Sequence, residues 1–229
     1  MSGFSRQLGV LMVAAFVDTM GAFLVLALLP FWAERFGASP TVVGLLVAAF
    51  ALAQTATAPL WGRLSDRVGR RPIILAGLAV SAASYLLFAF ADSIALLMIS
   101  RLAQGCGGGT VSVVFAYVSD ALPGERRAQG LGWLTSATSL AAMIGPVIGS
   151  SSGTLSPAAP GLVAAALSLV TLAIVAAFLP ESQPQADRGG ERAPLGRALL
   201  DVVRDPGRGI HTLIWIYALG MLAFNALTG

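Results

Sequence analysis

Apolar residues run without alternation through seven stretches, at about 8–30, 41–61, 73–91, 94–118, 129–150, 161–179 and 210–229. Each holds roughly the 20 residues that a helix needs to cross a hydrocarbon core. Continuous apolar character with no period of two excludes strands, so the pattern predicts an all-α membrane protein. The first stretch is too long for a signal-peptide core, carries Asp18 in its middle and lacks an A-x-A cleavage site. After the sixth stretch the pattern changes. Residues 181–209 are polar and rich in Pro, Gly and charge (ESQPQADRGGERAP), which reads as a linker with a short interfacial helix near 195–204. The expected organisation is a six-helix amino-terminal bundle at 1–180, a cytoplasmic linker at 181–209, and the start of a second bundle, a seventh helix, at 210–229. With the remainder of that bundle absent, the sequence reads as a fragment.

Composition sharpens this. Of 229 residues, 56% are hydrophobic and 11% charged, against about 25% charged in soluble domains. The chain has fourteen basic residues, all arginine. In a soluble protein the pI of about 9.7 would suggest nucleic acid. Here the arginines sit in short loops, where they report orientation instead. Arg6, Arg63, Arg67, Arg70, Arg71, Arg126, Arg127, Arg188, Arg192, Arg197, Arg204 and Arg208 fall on one side, only Arg35 on the other, and Arg101 lies within a span. The amino terminus is therefore expected in the cytoplasm, in a multi-pass protein of the cell membrane. A single cysteine, Cys106, forbids an internal disulfide, and a single histidine, His211, leaves too few ligands for zinc. Without lysine there is no Walker loop and no Schiff base. No paired acids or histidine clusters mark an enzyme site, so neither catalysis, metal nor cofactor is expected.

The loop after the second span reads Gly62-Arg63-Leu64-Ser65-Asp66-Arg67-Val68-Gly69-Arg70-Arg71-Pro72. A positive-inside loop with a glycine turn explains the arginines alone. It does not explain Asp66, which can pair with Arg70 or cap a nearby helix, nor the glycines at both ends, which allow tight turning and close contact. The string resembles the G-x-L-x-D-R-x-G-R-[RK]-x-x signature of the major facilitator superfamily, in the same loop. In the fourth span, Arg101-Leu102-Ala103-Gln104-Gly105-Cys106-Gly107 is similar to that family's R-x-x-Q-G-x-G element, linked in proton-coupled members to proton transfer. In the fifth, Gly145-Pro146-Val147-Ile148-Gly149 resembles the G-x-x-x-G-P-x-x-G-G element of the antiporter branch, with Ala141 and Ser150 in place of the outer glycines. Leu179-Pro180-Glu181-Ser182 looks like the P-E-S that ends the sixth helix. The resemblance implies the first half of a twelve-helix transporter of the drug:proton antiporter branch, with a carboxylate at the place of Asp120 completing a charge cluster with Arg70. The alternative for Asp120 is an exposed acid beside Glu125, Arg126 and Arg127.

Depth singles out two charges. Arg101 lies about seven residues, or ~10 Å, inside the outer end of its span, and Asp18 about twelve residues, or ~18 Å, inside its own. An uncompensated charge so placed costs at least ~2.5–3.5 kcal/mol, so both should face a cavity or a partner. Snorkelling to the interface is the alternative for Arg101, and a neutral acid bonded to a backbone carbonyl the alternative for Asp18. Gly105, Gly145 and Gly149 permit close helix packing or serve gating, and Pro146 is expected to bend its helix. Gln54, Gln104, Tyr117 and Asn225 are polar at span depth, as cavity lining or as interhelical hydrogen bonds.

The function expected from these residues and the resemblance is proton-coupled export of small hydrophobic or amphipathic compounds such as drugs. Alternating access would occur between two bundles around a midplane site. Asp18 would carry the proton, Arg101 would tune it, and Asp66, Arg70 and Asp120, with Gly62, Arg67, Gly69 and Arg71 around them, would latch one state. Tetracycline exporters are similar in the first five helices, but they carry a carboxylate in the third, where this chain has Ser84. The expected partners are a small-molecule substrate, protons, the bilayer, and a missing second half or a second copy. A sugar or metabolite carrier of the same family, or a non-transporting half acting as a scaffold, are the competing readings.

Overall fold

The computed structural model describes residues 3–181, with side chains from residue 6 onward. The expected linker, its short helix, the seventh span, His211 and Asn225 lie outside the described residues. Among the described residues the regular structure is α-helical: α1 (Gly3–Arg35), α2 (Pro40–Val68), α3 (Arg70–Ala89), α4 (Ile94–Gly108), α5 (Val111–Ala121), α6 (Gly124–Gly153) and α7 (Ala159–Phe178). Five of these, beginning with α1 at Arg6–Arg35, are long and apolar enough to cross a membrane singly. The chain is a multi-pass membrane protein.

Two expectations are corrected. The fourth span is not one helix but two, α4 and α5, parted at Gly109–Thr110. Glycines at 105 and 107–109 remove the side chains that favour a continuous helix. Second, most of the arginine-rich loop is helix. α2 runs through Val68 and α3 begins at Arg70, so the connection is Gly69 alone, at φ +117°. That conformation is reserved for glycine. Gly62 makes no turn and touches nothing where a Cβ would stand.

Close approach organises the bundle, since association between helices in lipid rests on packing and not on hydrophobic expulsion. A Cβ on Gly145 would stand 2.7 Å from the Met20 carbonyl of α1, and one on Gly149 would stand 3.0 Å from the Leu24 carbonyl. α6 is thereby locked against α1. Gly161 sets α7 against Tyr85 and Ala89 of α3 in the same way. Pro146 lies inside α6 without ending it. Two apolar clusters result. One, toward the arginine-rich end, gathers Leu11, Ile74, Val118, Leu134 and Leu179; the other gathers Leu24, Leu29, Trp32, Phe88 and Leu97.

Two outcomes test this arrangement. Single cysteines in a Cys106→Ser background at exposed Gly124 on one end and exposed Ser39 and Ser156 on the other should label from opposite sides of the membrane. Ser65, in the arginine-rich segment, is fully buried and unsuitable as a probe. Labelling of all three from one side would overturn the threading. Separately, Gly145→Ala should cost about 1–3 kcal/mol through overpacking, seen as a lower melting temperature. Gly132→Ala, where nothing lies within 4 Å, should leave melting unchanged; equal effects would mean that the α1–α6 contact does not limit stability.

Candidate functional site

Between α1, α2, α3, α4 and α5 lies a cavity of about 250 Å³, lined by Asp18, Phe23, Phe50, Gln54, Tyr85 and Gln104 among others. Asp18 is 8% exposed. Its Oδ1 accepts a 2.7 Å hydrogen bond from the Ser81 hydroxyl, and the Tyr85 hydroxyl donates to its backbone carbonyl at 3.3 Å. The acid is thus held by a hydroxyl from α3, not by a backbone carbonyl. Only a glycine fits at position 21, because the Tyr85 ring fills the place of a side chain there.

Arg101 is 2% exposed and does not snorkel. Its guanidinium carbon lies 5.5 Å from the Phe50 ring centroid, a cation–π arrangement. Among the described residues no ion pair joins it to Asp18. Tyr85 lines the same cavity, and Phe50, which carries the Arg101 guanidinium, forms another part of its wall. Gln104, also 2% exposed, is part of the cavity wall.

The break between α4 and α5 shapes this site. Parting a helix leaves carbonyls unpaired, and lipid supplies no donor for them. Here Gln54 donates to the Gly108 carbonyl at 3.3 Å and Trp61 Nε1 to the Cys106 carbonyl at 2.6 Å. The Thr110 and Ser112 hydroxyls take the carbonyls of Gly107 and Gly109. Gln54 therefore does two things at once: it lines the cavity and ties α2 to the break.

At the arginine-rich end a second constellation forms. Arg70, largely buried, pairs with Asp66 at 2.8 Å and through Nε with Asp120 at 3.0 Å. Its Nη1 also donates to Ser65 Oγ at 2.5 Å. One guanidinium thus joins α2, α3 and α5. Glu181 adds a contact that sequence reasoning missed: its two oxygens accept from the backbone N–H groups of Arg70 and Arg71, at 2.8 and 3.3 Å. A carboxylate on the first amides of α3 meets the positive end of that helix. Arg67 is exposed, and Arg71 reaches the Ala176 carbonyl of α7 at 2.5 Å.

Several expected residues lie elsewhere. Tyr117 does not line the cavity; it is buried in the core at the arginine-rich end and donates to the Pro180 carbonyl at 2.7 Å. Ser84 turns its hydroxyl to the Ser81 carbonyl of its own helix, so Ser81, one turn earlier, is the residue that meets Asp18. Gly105 is a packing glycine between α4 and Phe50–Ala53 of α2, as Gly145 and Gly149 are between α6 and α1. Phe50, Ser81 and Tyr85 were not anticipated. A tyrosine and a serine one turn apart in an otherwise apolar third span were the available signal.

The described residues thus form an apolar helical bundle with a buried acid in one cavity and an arginine network at one end. The chain is a member of the Major Facilitator Superfamily, whose model matches residues 11–229. It is 35% identical over 179 residues to the class B tetracycline resistance protein of Escherichia coli, covering 77% of this chain and 45% of that one. It is 29% identical over 189 residues to the quinolone resistance protein NorA of Staphylococcus aureus, covering 82% and 49%. Among solved structures, the human organic anion transporter MFSD10 (TETRAN) is similar, with a TM-score of 0.72, 29% identity, and coverage of 86% and 52%. The chain spans about half the length of these relatives.

The shared guanidinium generates a prediction. Asp66→Asn and Asp120→Asn each remove one partner of Arg70, so their effects on melting should not add. A double-mutant cycle should give a coupling of about 0.5 kcal/mol or more. Additive effects would make the two pairs independent.

Proposed function

We propose that this chain forms the amino-terminal half of a proton-coupled exporter of small hydrophobic or amphipathic compounds, including drugs. The observation that carries the reading is Asp18, an acid buried in a cavity that is bonded to Ser81 and walled by Phe50, Tyr85 and Gln104. The names of the relatives, which concern tetracycline and quinolone resistance, support the substrate class. In this reading residues 181–209 link to a second bundle that begins at 210–229, and the protein sits in the cell membrane with its amino terminus in the cytoplasm. Transport, and not catalysis, is its task.

The mechanism follows from the geometry. A carboxyl in a cavity between helices exchanges its proton with whichever side the cavity opens to. The neutral acid keeps the Ser81 bond by accepting through one oxygen and has its own O–H to offer substrate or water. Deprotonation leaves a charge that the cavity must stabilise, and a substrate able to offer a donor or a positive charge favours that state. Arg101, held over Phe50 of the cavity wall, biases this balance as a nearby fixed charge. The Arg70 network holds α2, α3 and α5 together in one of the two states, and its release permits the other.

In proteoliposomes of the complete carrier, Asp18→Asn is expected to abolish uphill substrate accumulation driven by a proton gradient, together with substrate-induced proton release. Downhill exchange should survive, because the amide nearly preserves the shape. Asp18→Glu should retain coupled transport with a shifted pH optimum. Wild-type coupling in the Asn variant would make Asp18 a structural acid.

A further inference from the structure

Apart from the Asp18 cavity and the Arg70 network, an open pocket of about 520 Å³ lies between α1, α3 and the end of α7. Arg6, Gln7 and Arg71 form its polar wall, and Ala177, Phe178, Leu179 and Pro180 its apolar one. The exposed Arg6 stacks its guanidinium carbon 5.1 Å from the Phe178 ring centroid. A guanidinium in such a cation–π contact keeps N–H donors for another group. Arg71 arrives from α3 already anchored on the Ala176 carbonyl, and its Nε is buried with no protein partner. The neighbouring acid, Glu181, is engaged by the backbone amides of Arg70 and Arg71, so it does not cancel both guanidinium groups.

Two guanidinium groups lining one pocket match the oxygens of a phosphate, which arginine binds in bidentate fashion. The apolar wall adds a second feature. Phe178, about half exposed, places hydrocarbon directly beside the cationic wall at the end of a membrane-crossing helix. We propose that this pocket binds a phosphate group, of the kind presented by an anionic phospholipid headgroup at the arginine-rich face of the membrane. Basic pockets between membrane helices are suited to such headgroups. The site holds α1 and α7 to α3 through the ligand, next to the Arg70 network but sharing none of its ion pairs.

The test is native mass spectrometry of the purified full chain, titrated separately with phosphatidylglycerol, phosphatidylcholine and inorganic phosphate. Preferential retention of phosphatidylglycerol over phosphatidylcholine is expected. Arg6→Gln and Arg71→Gln should each weaken that retention about fivefold, the value of one basic residue at an anionic surface. Arg35→Gln, at the opposite end, should not. Protection from heat by inorganic phosphate, lost in Arg6→Gln without any lipid preference, would keep the phosphate site and assign it to a free anion. Should Arg71→Gln fail to fold, Arg6→Gln decides, since its side chain is exposed. Wild-type binding of both phosphatidylglycerol and phosphate by Arg6→Gln would overturn the proposal, as would the absence of either preference in the unaltered chain.

Discussion

Hydrocarbon offers no hydrogen bonds, and at three places among the described residues a side chain from a neighbouring element supplies one. The carbonyls freed between α4 and α5 find Gln54 and Trp61 of α2. Asp18 finds Ser81, and the start of α3 finds Glu181. These contacts tie α1, α2 and α3 to their neighbours, alongside the glycine contacts that seat α6 on α1 and α7 on α3.

The two polar centres differ in kind. Around Arg70 three helices converge on one guanidinium with acids on both sides, a closed set that favours one arrangement. Around Asp18 the set is open: a single hydroxyl holds the carboxylate, and Arg101 rests on an aromatic face. An open set suits the proposed exchange of proton and substrate, because each added partner would deepen one protonation state at the expense of the other.

Much of this was legible in the sequence, for identifiable reasons. Span count follows from long apolar runs, Asp66 stood out as an acid among arginines within reach of Arg70, and Asp120 was joined to them only through the family resemblance. Asp18 and Arg101 stood out because charge at depth is costly. What was not legible depends on rotation about a helix axis. Ser81 and Ser84 are three residues apart in an apolar span, and hydropathy does not say which faces Asp18. Tyr117 looked like a cavity residue by depth alone, whereas its helix turns it to the Pro180 carbonyl. Glu181 was hidden for another reason: its partners are backbone amides 110 and 111 residues away, and backbone leaves no mark in sequence.

The parting of the fourth span has a consequence for how the protein is made. α4 and α5 have 15 and 11 residues, or about 22 and 16 Å of helix, so neither crosses a bilayer alone. Inserted by itself, this segment would carry open carbonyls into lipid. It is stable only once α2 stands alongside to receive them. α2, which precedes the fourth segment in the chain, carries the Gln54 and Trp61 donors that two of those carbonyls need, so the order of synthesis puts the donors in place before the acceptors.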